Sequence, residues 1–492
     1  MENNIKFRNH VSVILEKSLK AIGTVVAIFL LEFISDAGET GISGEDAVFL
    51  VIAIAVILGV VLGYQALIWA RTYISIEENT LVVERNTLNK KRNTIGLKNI
   101  SNVNLEQNLL EMILGTCKVK LDTNSLSTAD ETDVNIVLKK VDAEQFRSWV
   151  LAKAEGRDVN EVVPTEATQV QQDADEESGI IGQIGDIILH GLFSIRITML
   201  ILLIGIIVLQ IWNITELGTE ELGDTIGEIL VSLFVAFYFA ALIAWGIVKE
   251  FFKYLNFHIE RKKDKVYLSY GLFKKVAYSV PVDKINGIRL SQTPLARMGR
   301  RYMVEIINVG MDDDENEMNT FFLPYNKLEN ISSQLHQLLP EFDGALEIKE
   351  EKQPKAVWLL SLPWLVLYIL VAWIVYILVG NYAPDTSLKE GVIAAAVVVL
   401  IWRTITKLAG FLTKAIGVDD KFLKIVDGKF ARRILLVKYD KIQYVTGRQC
   451  IIAKHFKIQK GTISLLASLK NRIHELPYFK ENDMERLKNK LL

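Results

Sequence analysis

Six histidines, two cysteines and two runs rich in lysine and arginine are the residues whose chemistry this 492-residue sequence could use. The histidines His10, His190, His258, His336, His455 and His474 are scattered through different segments. None has the nearby partners that a zinc site or a general base requires. Cys117 and Cys450 lie far apart and fit neither a zinc nor a redox spacing, so they are expected as free thiols in a reducing compartment. No Gly-x-Ser-x-Gly elbow, His-Glu-x-x-His pair or Gly-x-x-x-x-Gly-Lys-Ser/Thr loop occurs. With no cluster to supply nucleophile, base and oxyanion donor, the sequence predicts no catalytic residue, no metal and no cofactor.

Positive charge does cluster. Residues 249–301 hold thirteen Lys and Arg against four acids (Glu250, Glu260, Asp264 and Asp283), and residues 403–460 hold fourteen against four. Arg261, Lys262, Lys263 and Lys265, with Lys274 and Lys275, bracket one predicted hairpin and are the candidate contacts to anionic lipid headgroups. Bases in such a hairpin could form a directed phosphate site. Beneath an anionic leaflet each would also contribute about 1 kcal/mol without any pocket. Net charge is −2, which gives no sign of a nucleic-acid partner. Residues 155–177 are the opposite case, with eight acids and one base, and read as a disordered linker. A similar acidic tip spans 312–317.

The elements that must position these charges are of two kinds. Half of the residues are hydrophobic, and the excess is concentrated in blocks. Four are clear, at 48–70, 229–248, 357–379 and 392–402, the last running on through Arg403 to 409. Two weaker ones are 19–34 and 197–212, short of the ~20 residues that cross ~30 Å of hydrocarbon unless Lys17, Lys20 and Arg196 snorkel. The first block follows Glu16, Lys17 and Lys20 and lacks a small-x-small cleavage site, so it reads as an uncleaved anchor. Short loops at 35–46, 213–228 and 380–391 join the blocks in pairs, predicting three helical hairpins. The first two loops contain no Lys or Arg and the third only Lys389. Lys6, Arg8, Arg71, Lys249, Lys253 and Lys407 sit at the opposite ends, which places both termini in the cytoplasm. The spans carry almost no ionisable residue near their centres, unlike a transporter.

Between hairpins the sequence repeats. Ile100-x-x-Val103-x-x-x-Gln107 matches Ile285-x-x-Ile288-x-x-x-Gln292 and Ile442-x-x-Val445-x-x-x-Gln449. The same offsets align Asn86, Gly271 and Gly428, residue types that tolerate a positive φ and suit a turn between strands. Leu323-Pro324-Tyr325 matches Leu476-Pro477-Tyr478 before a closing helix. Strand-like runs at 73–76, 81–84, 117–121 and 135–139 precede one amphipathic helix per copy, at 142–152, 326–339 and 484–492. In the first, Phe146, Trp149 and Val150 share a face and Asp142 is the expected N-cap. Strands closed by one helix predict a small barrel or sandwich.

Paired helices, the Arg71-Thr72-Tyr73 junction, a strand pair, the Ile-x-x-Val/Ile segment and a closing helix resemble bacterial pleckstrin-homology-like (PH-like) domains. Three such units in one chain resemble the YdbT-like membrane proteins. The resemblance implies a membrane-embedded, non-catalytic role, in envelope protection beside a smaller one-copy partner. It also adds weight to the basic hairpin, since eukaryotic PH domains bind inositol phosphates there. The expected layout is hairpin 1 (1–70), domain 1 (71–154), acidic linker (155–190), hairpin 2 (191–249), domain 2 (250–340), linker (341–355), hairpin 3 (356–409) and domain 3 (410–492). The expected fold class is membrane α + β: six transmembrane helices in three hairpins, each followed by a PH-like domain capped by a helix. The expected function is a scaffold in the cell membrane whose domains bind a membrane-protein partner or each other, with lipid bilayer around it and a homo-oligomer as one form. The alternative is a transporter or lipid-handling protein, which would need polar residues within the spans.

Overall fold

A computed structural model describes residues 5–19, 22–24, 28, 44–77, 79–87, 89–123, 134–154, 179–216, 222–308, 321–382, 386–467 and 469–490. Its contacts form two compact units. One is Met1–Gly179 with Tyr267–Val280, the other Ile180–Val266 with Pro281–Leu492.

The first copy of the repeat lies in the first unit. Strands β1 (Ile5–Phe7), β2 (Thr72–Glu77), β3 (Thr80–Asn86) and β4 (Lys90–Gly96) form one antiparallel sheet in that order. Strands β5 (Ile100–Gln107), β6 (Thr116–Thr123) and β7 (Val134–Lys139) form a second. Alternation on the pleat turns Ile74, Leu81, Val103, Val119 and Ile136 into one core. Each such side chain taken fully out of water contributes about 1.5–3 kcal/mol. The helix Lys140–Ala154 covers this core with Ala143, Phe146 and Val150, and Trp149 packs at its margin. Asp142 is not the N-cap, because β7 runs straight into a helix that already begins at Lys140. Its carboxylate lies in the first turn, where the helix dipole favours it.

The second copy repeats this order as β8 (Ile180–Ile181), β9 (His258–Lys262), β10 (Lys265–Tyr270), β11 (Lys275–Pro281), β12 (Ile285–Gln292), β13 (Arg301–Asn308) and β14 (Phe321–Lys327). Its closing helix is Leu328–Leu338. The third runs β15 (Glu351–Lys352), β16 (Ala415–Val418), β17 (Phe422–Gly428), β18 (Arg432–Lys438), β19 (Ile442–Arg448), β20 (Ile458–Leu465) and β21 (Ile473–Lys480), closed by Glu481–Asn489. In each copy a short strand before the membrane helices pairs with the first strand after them: β1 with β2, β8 with β9, and β15 with β16. Stretch 179–185 therefore holds a strand. There Ile180 pairs with Ile259, and a Cβ on Gly182 would meet the Phe257 side chain at 3.0 Å. Gly271 and Gly428 have the expected positive φ, 107° and 131°. Asn86 does not; it stays extended opposite Lys90. A Cβ at Gly428 would lie 2.1 Å from the Ala431 carbonyl, a position asparagine could not share.

Among the described residues four helical stretches are long and apolar enough to cross a membrane: Ile52–Ala70, Leu233–Tyr254, Lys355–Asn381 and Glu390–Thr413. A fifth candidate is the pair Ile184–Phe193 and Ile197–Leu209, bent by 65°. Val60, Phe237 and Trp364 on these helices are 66%, 72% and 68% exposed, an arrangement that hydrocarbon satisfies and water does not. The α-helix of the third pair begins at Leu362, after a 3-10 stretch, because Pro363 lacks the N–H needed further inside a helix. Most of block 19–34, the acidic linker 155–177 and the tip 312–317 lie outside the described residues.

Candidate functional site

The repeated glutamine has one structural role in all three copies. The Gln107 amide donates to the Thr116 carbonyl at 2.7 Å, Gln292 to Arg301 at 2.9 Å and Gln449 to Ile458 at 3.1 Å. Each bond spans a short helix, whose N-cap is the next residue: Asn108, Thr293 or Cys450. Asn108 and Glu111 form a complete capping box, a signal that Asn-x-x-Glu offers in sequence. After the helix the chain turns through a left-handed residue, Gly115 (φ 66°), Arg300 (φ 53°) or Lys457 (φ 51°). The glutamine thus fixes a corner between two strands.

Those corners set up contacts between copies. Within the first unit β5 pairs antiparallel with β11, Gln107 opposite Lys275 and Glu106 opposite Val276. Within the second, β12 pairs with β18, Gln292 opposite Arg432 and Ser291 opposite Arg433. Lys275 and Arg432 are equivalent (432 − 275 = 157, the offset of the glutamines), so both junctions use one register. The sheet that results in the second unit has seven strands, β14-β13-β12-β18-β17-β16-β15.

Both junctions bury charge in pairs. Glu106, its side chain 5% exposed, lies 3.0 Å from Lys120 and 3.3 Å from Lys274. Ser291 donates to Glu305 at 2.7 Å, Arg289 lies 3.8 Å from the same carboxylate, and Arg289 also donates to Asn471 at 2.5 Å. Low local dielectric makes such pairs strong once formed and costly if one member is removed.

The six basic residues singled out in the sequence fall into different settings. Arg261 grips Glu341 with two bonds of 2.7 and 2.8 Å and donates to the Leu338 carbonyl at 3.0 Å. That clamp holds the Glu341 carboxyl below its usual range, because the guanidinium stabilises the charged form. Lys262 is 64% exposed and pairs with Glu260 at 2.8 Å. Lys263, also exposed, turns the chain with φ 54°, and Lys265 is half-buried. Lys274 belongs to the buried Glu106 group, and Lys275 sits in the β5 junction with its side chain exposed. Arg261 and Lys274 are therefore tied to acids of the protein. Lys262, Lys263 and Lys275 face outward.

One further basic site escapes a reading of sequence. A cavity of about 260 Å³ in the first unit is lined in part by Lys17, Gln65, Trp69, Arg85 and Lys118. Lys118 is held there by Glu16 at 2.6 Å. These residues are far apart along the chain, so no local run marks them. Among the described residues no group of three or more His, Cys, Asp and Glu is placed to hold a metal ion. Cys117 is buried, which pushes its thiol up to about 12, and Cys450 is exposed.

Comparison with known proteins bears on the repeat directly. The bacterial PH domain family matches three times, at residues 25–154, 186–339 and 355–492. The chain is 20% identical over 290 residues to UPF0699 transmembrane protein YdbT of Bacillus subtilis (strain 168), which covers 56% of this chain and 57% of that one. The chain thus spans little more than half the length of the curated relative it matches. No solved structure matches it.

Proposed function

The chain belongs to the bacterial PH domain family, and on that footing we propose that it is a non-enzymatic, multi-pass protein of the cell membrane. Its three PH-like domains act as a scaffold on the cytoplasmic side and bind a membrane-protein partner, in the service of the cell envelope. The observation that carries this reading is the edge-to-edge pairing of β5 with β11 and of β12 with β18. PH-like domains in this chain already use strand edges to hold one another, and a surface that joins domains within a chain suits joining between chains.

Six spans in three hairpins complete the reading, with 19–34 as the first and the bent pair ending near 209 as the third. Hairpin loops at 35–46 and 213–228 without a Lys or Arg support an outside location for them. Lys262, Lys263 and Lys275 would then face the inner leaflet and hold the domains near anionic headgroups.

Reporter fusions at the N-terminus, near Asn160, near Lys262 and at Leu492 test the topology and are expected to report cytoplasm. Insertions at Gly41 and Leu222 are expected to report the outside; a cytoplasmic signal from either overturns the hairpins. Affinity purification of the tagged full-length protein tests the scaffold, which fails if no membrane protein co-purifies reciprocally.

A further inference from the structure

We propose that the open edge of β19 is a docking site for one more strand, supplied by a PH-like domain of a different protein and carrying an acid where it passes Arg448. The inference rests on the scaffold reading and specifies how the partner attaches.

In both earlier copies the strand equivalent to β19 is paired. β5 takes β11 and β12 takes β18, in one register. Pairing buries the strand: Ile288 and Leu290 of β12 are each 0% exposed. Among the described residues β19 is an outer strand of its sheet, ordered β19-β20-β21. Its middle, Tyr444-Val445-Thr446-Gly447, is uncharged, and Tyr444, Val445 and Thr446 are of types that suit a strand; Tyr444 is 47% exposed. An uncovered edge offers its N–H and C=O groups as a template for another chain.

Charge selects the occupant. The other outer strand of this type, β4, differs from the strands that do pair. Lys91 of β4 stands where β11 has Val276 and β18 has Arg433, but the next two positions differ: β4 has Arg92 and Asn93 where β11 has Ala277 and Tyr278 and β18 has Ile434 and Leu435. A base and an asparagine in the centre of an edge strand disfavour its pairing. In the shared register a second copy would also set its Lys91 opposite Arg448, with Lys460 beside Arg448 on β20. Like charges placed directly opposite destabilise a sheet. The positions equivalent to Arg448 are Glu106 and Ser291, and Glu106 gathers two lysines. Reversing the sign at this place asks for an acid on the incoming strand and turns away a second copy.

The probe is a labelled peptide with the sequence Arg432–Lys438, the strand that β12 accepts, made with Arg433→Asp and with Arg433→Lys. Position 433 faces Ser291, the equivalent of Arg448. Added to the full-length protein in lipid nanodiscs, the Asp form is expected to bind about tenfold tighter than the Lys form. It should slow amide exchange across Ile442–Arg448, and Arg448→Glu should reverse the preference without changing the unfolding temperature. No binding by either form, equal binding by both, or protection confined to other strands overturns the proposal. Self-association of the wild-type protein that Thr446→Pro abolishes would make the occupant a second copy, and overturns the choice of partner. The scaffold reading is decided separately, by co-purification.

Discussion

The Gln292 amide donates to the Arg301 carbonyl at 2.9 Å, and nine residues separate the two just as nine separate Gln107 from Thr116 and Gln449 from Ile458. Gln292 is 4% exposed and the Arg301 end of the bond is half-buried. The glutamine is a structural clamp on the corner that leads into the next strand. The bond also explains why glutamine recurs at this position in all three copies.

Gln292→Leu should therefore destabilise the protein by about 1 kcal/mol, the typical net worth of a part-buried hydrogen bond. Thermal unfolding in detergent, followed by tryptophan fluorescence, reads the loss. An unchanged melting temperature would show that the corner does not depend on this bond.

The Glu106–Lys120 pair makes a sharper prediction. Glu106→Ala takes the acid away from buried Lys120 and should cost about 3–5 kcal/mol. Replacing both Glu106 and Lys120 by Leu should recover most of that loss, because the desolvation of two charges disappears together. A double replacement as damaging as the single one would count against the pair as the source of the effect.

His474 sets a pH dependence in the third copy. Burial first, and Arg289 next, push its pKa down to about 4, and its Nε2 lies 2.8 Å from the Asn471 carbonyl. The unfolded chain binds this proton near pH 6.5, the folded chain only near 4. The folded state is thus favoured above about 6.5, and that contribution, on the order of 3 kcal/mol, is lost as pH falls towards 4. Unfolding followed by exchange of β20 and β21 amides should show the decline, and His474→Gln should flatten it. A curve of the same shape in both proteins would assign the decline to other groups.

Contact with lipid should be graded. Lys262→Gln and Lys263→Gln should each reduce protection of the β9–β10 turn by a similar small step in nanodiscs of anionic lipid. Salt should mimic them, since screening acts within about 8 Å at physiological ionic strength. Arg261→Gln should instead lower the melting temperature, because its charge is spent on Glu341. Abrupt loss of protection from Lys262→Gln alone, persisting at low salt, would point to a directed pocket.

What the sequence by itself determined is whatever a local period encodes. Alternating residues at 73–76 and 117–121 mark β2 and β6 because a pleat sends neighbours to opposite faces. Phe146 and Val150 mark the closing helix because they share one face of a 3.6-residue turn. Apolar blocks marked four of the membrane-length helices for a similar reason, length against hydrocarbon thickness. The glutamine repeat showed three copies of one unit. Boundaries moved where a strand flows into a helix without a stop signal: the third helix, expected at 484–492, is Glu481–Asn489.

Tertiary structure alone decided the rest. The junctions β5–β11 and β12–β18 are made by backbone N–H and C=O groups, which every residue but proline carries, so residue type hardly records them. Strands β8 and β15 have two residues each, too few to show a period. Arg261 reads as a free base in its run, yet its partner Glu341 is 80 residues away. Charge is local in sequence, but whether a charge is paired depends on which distant segments the fold brings within hydrogen-bonding distance, and only the folded chain sets that.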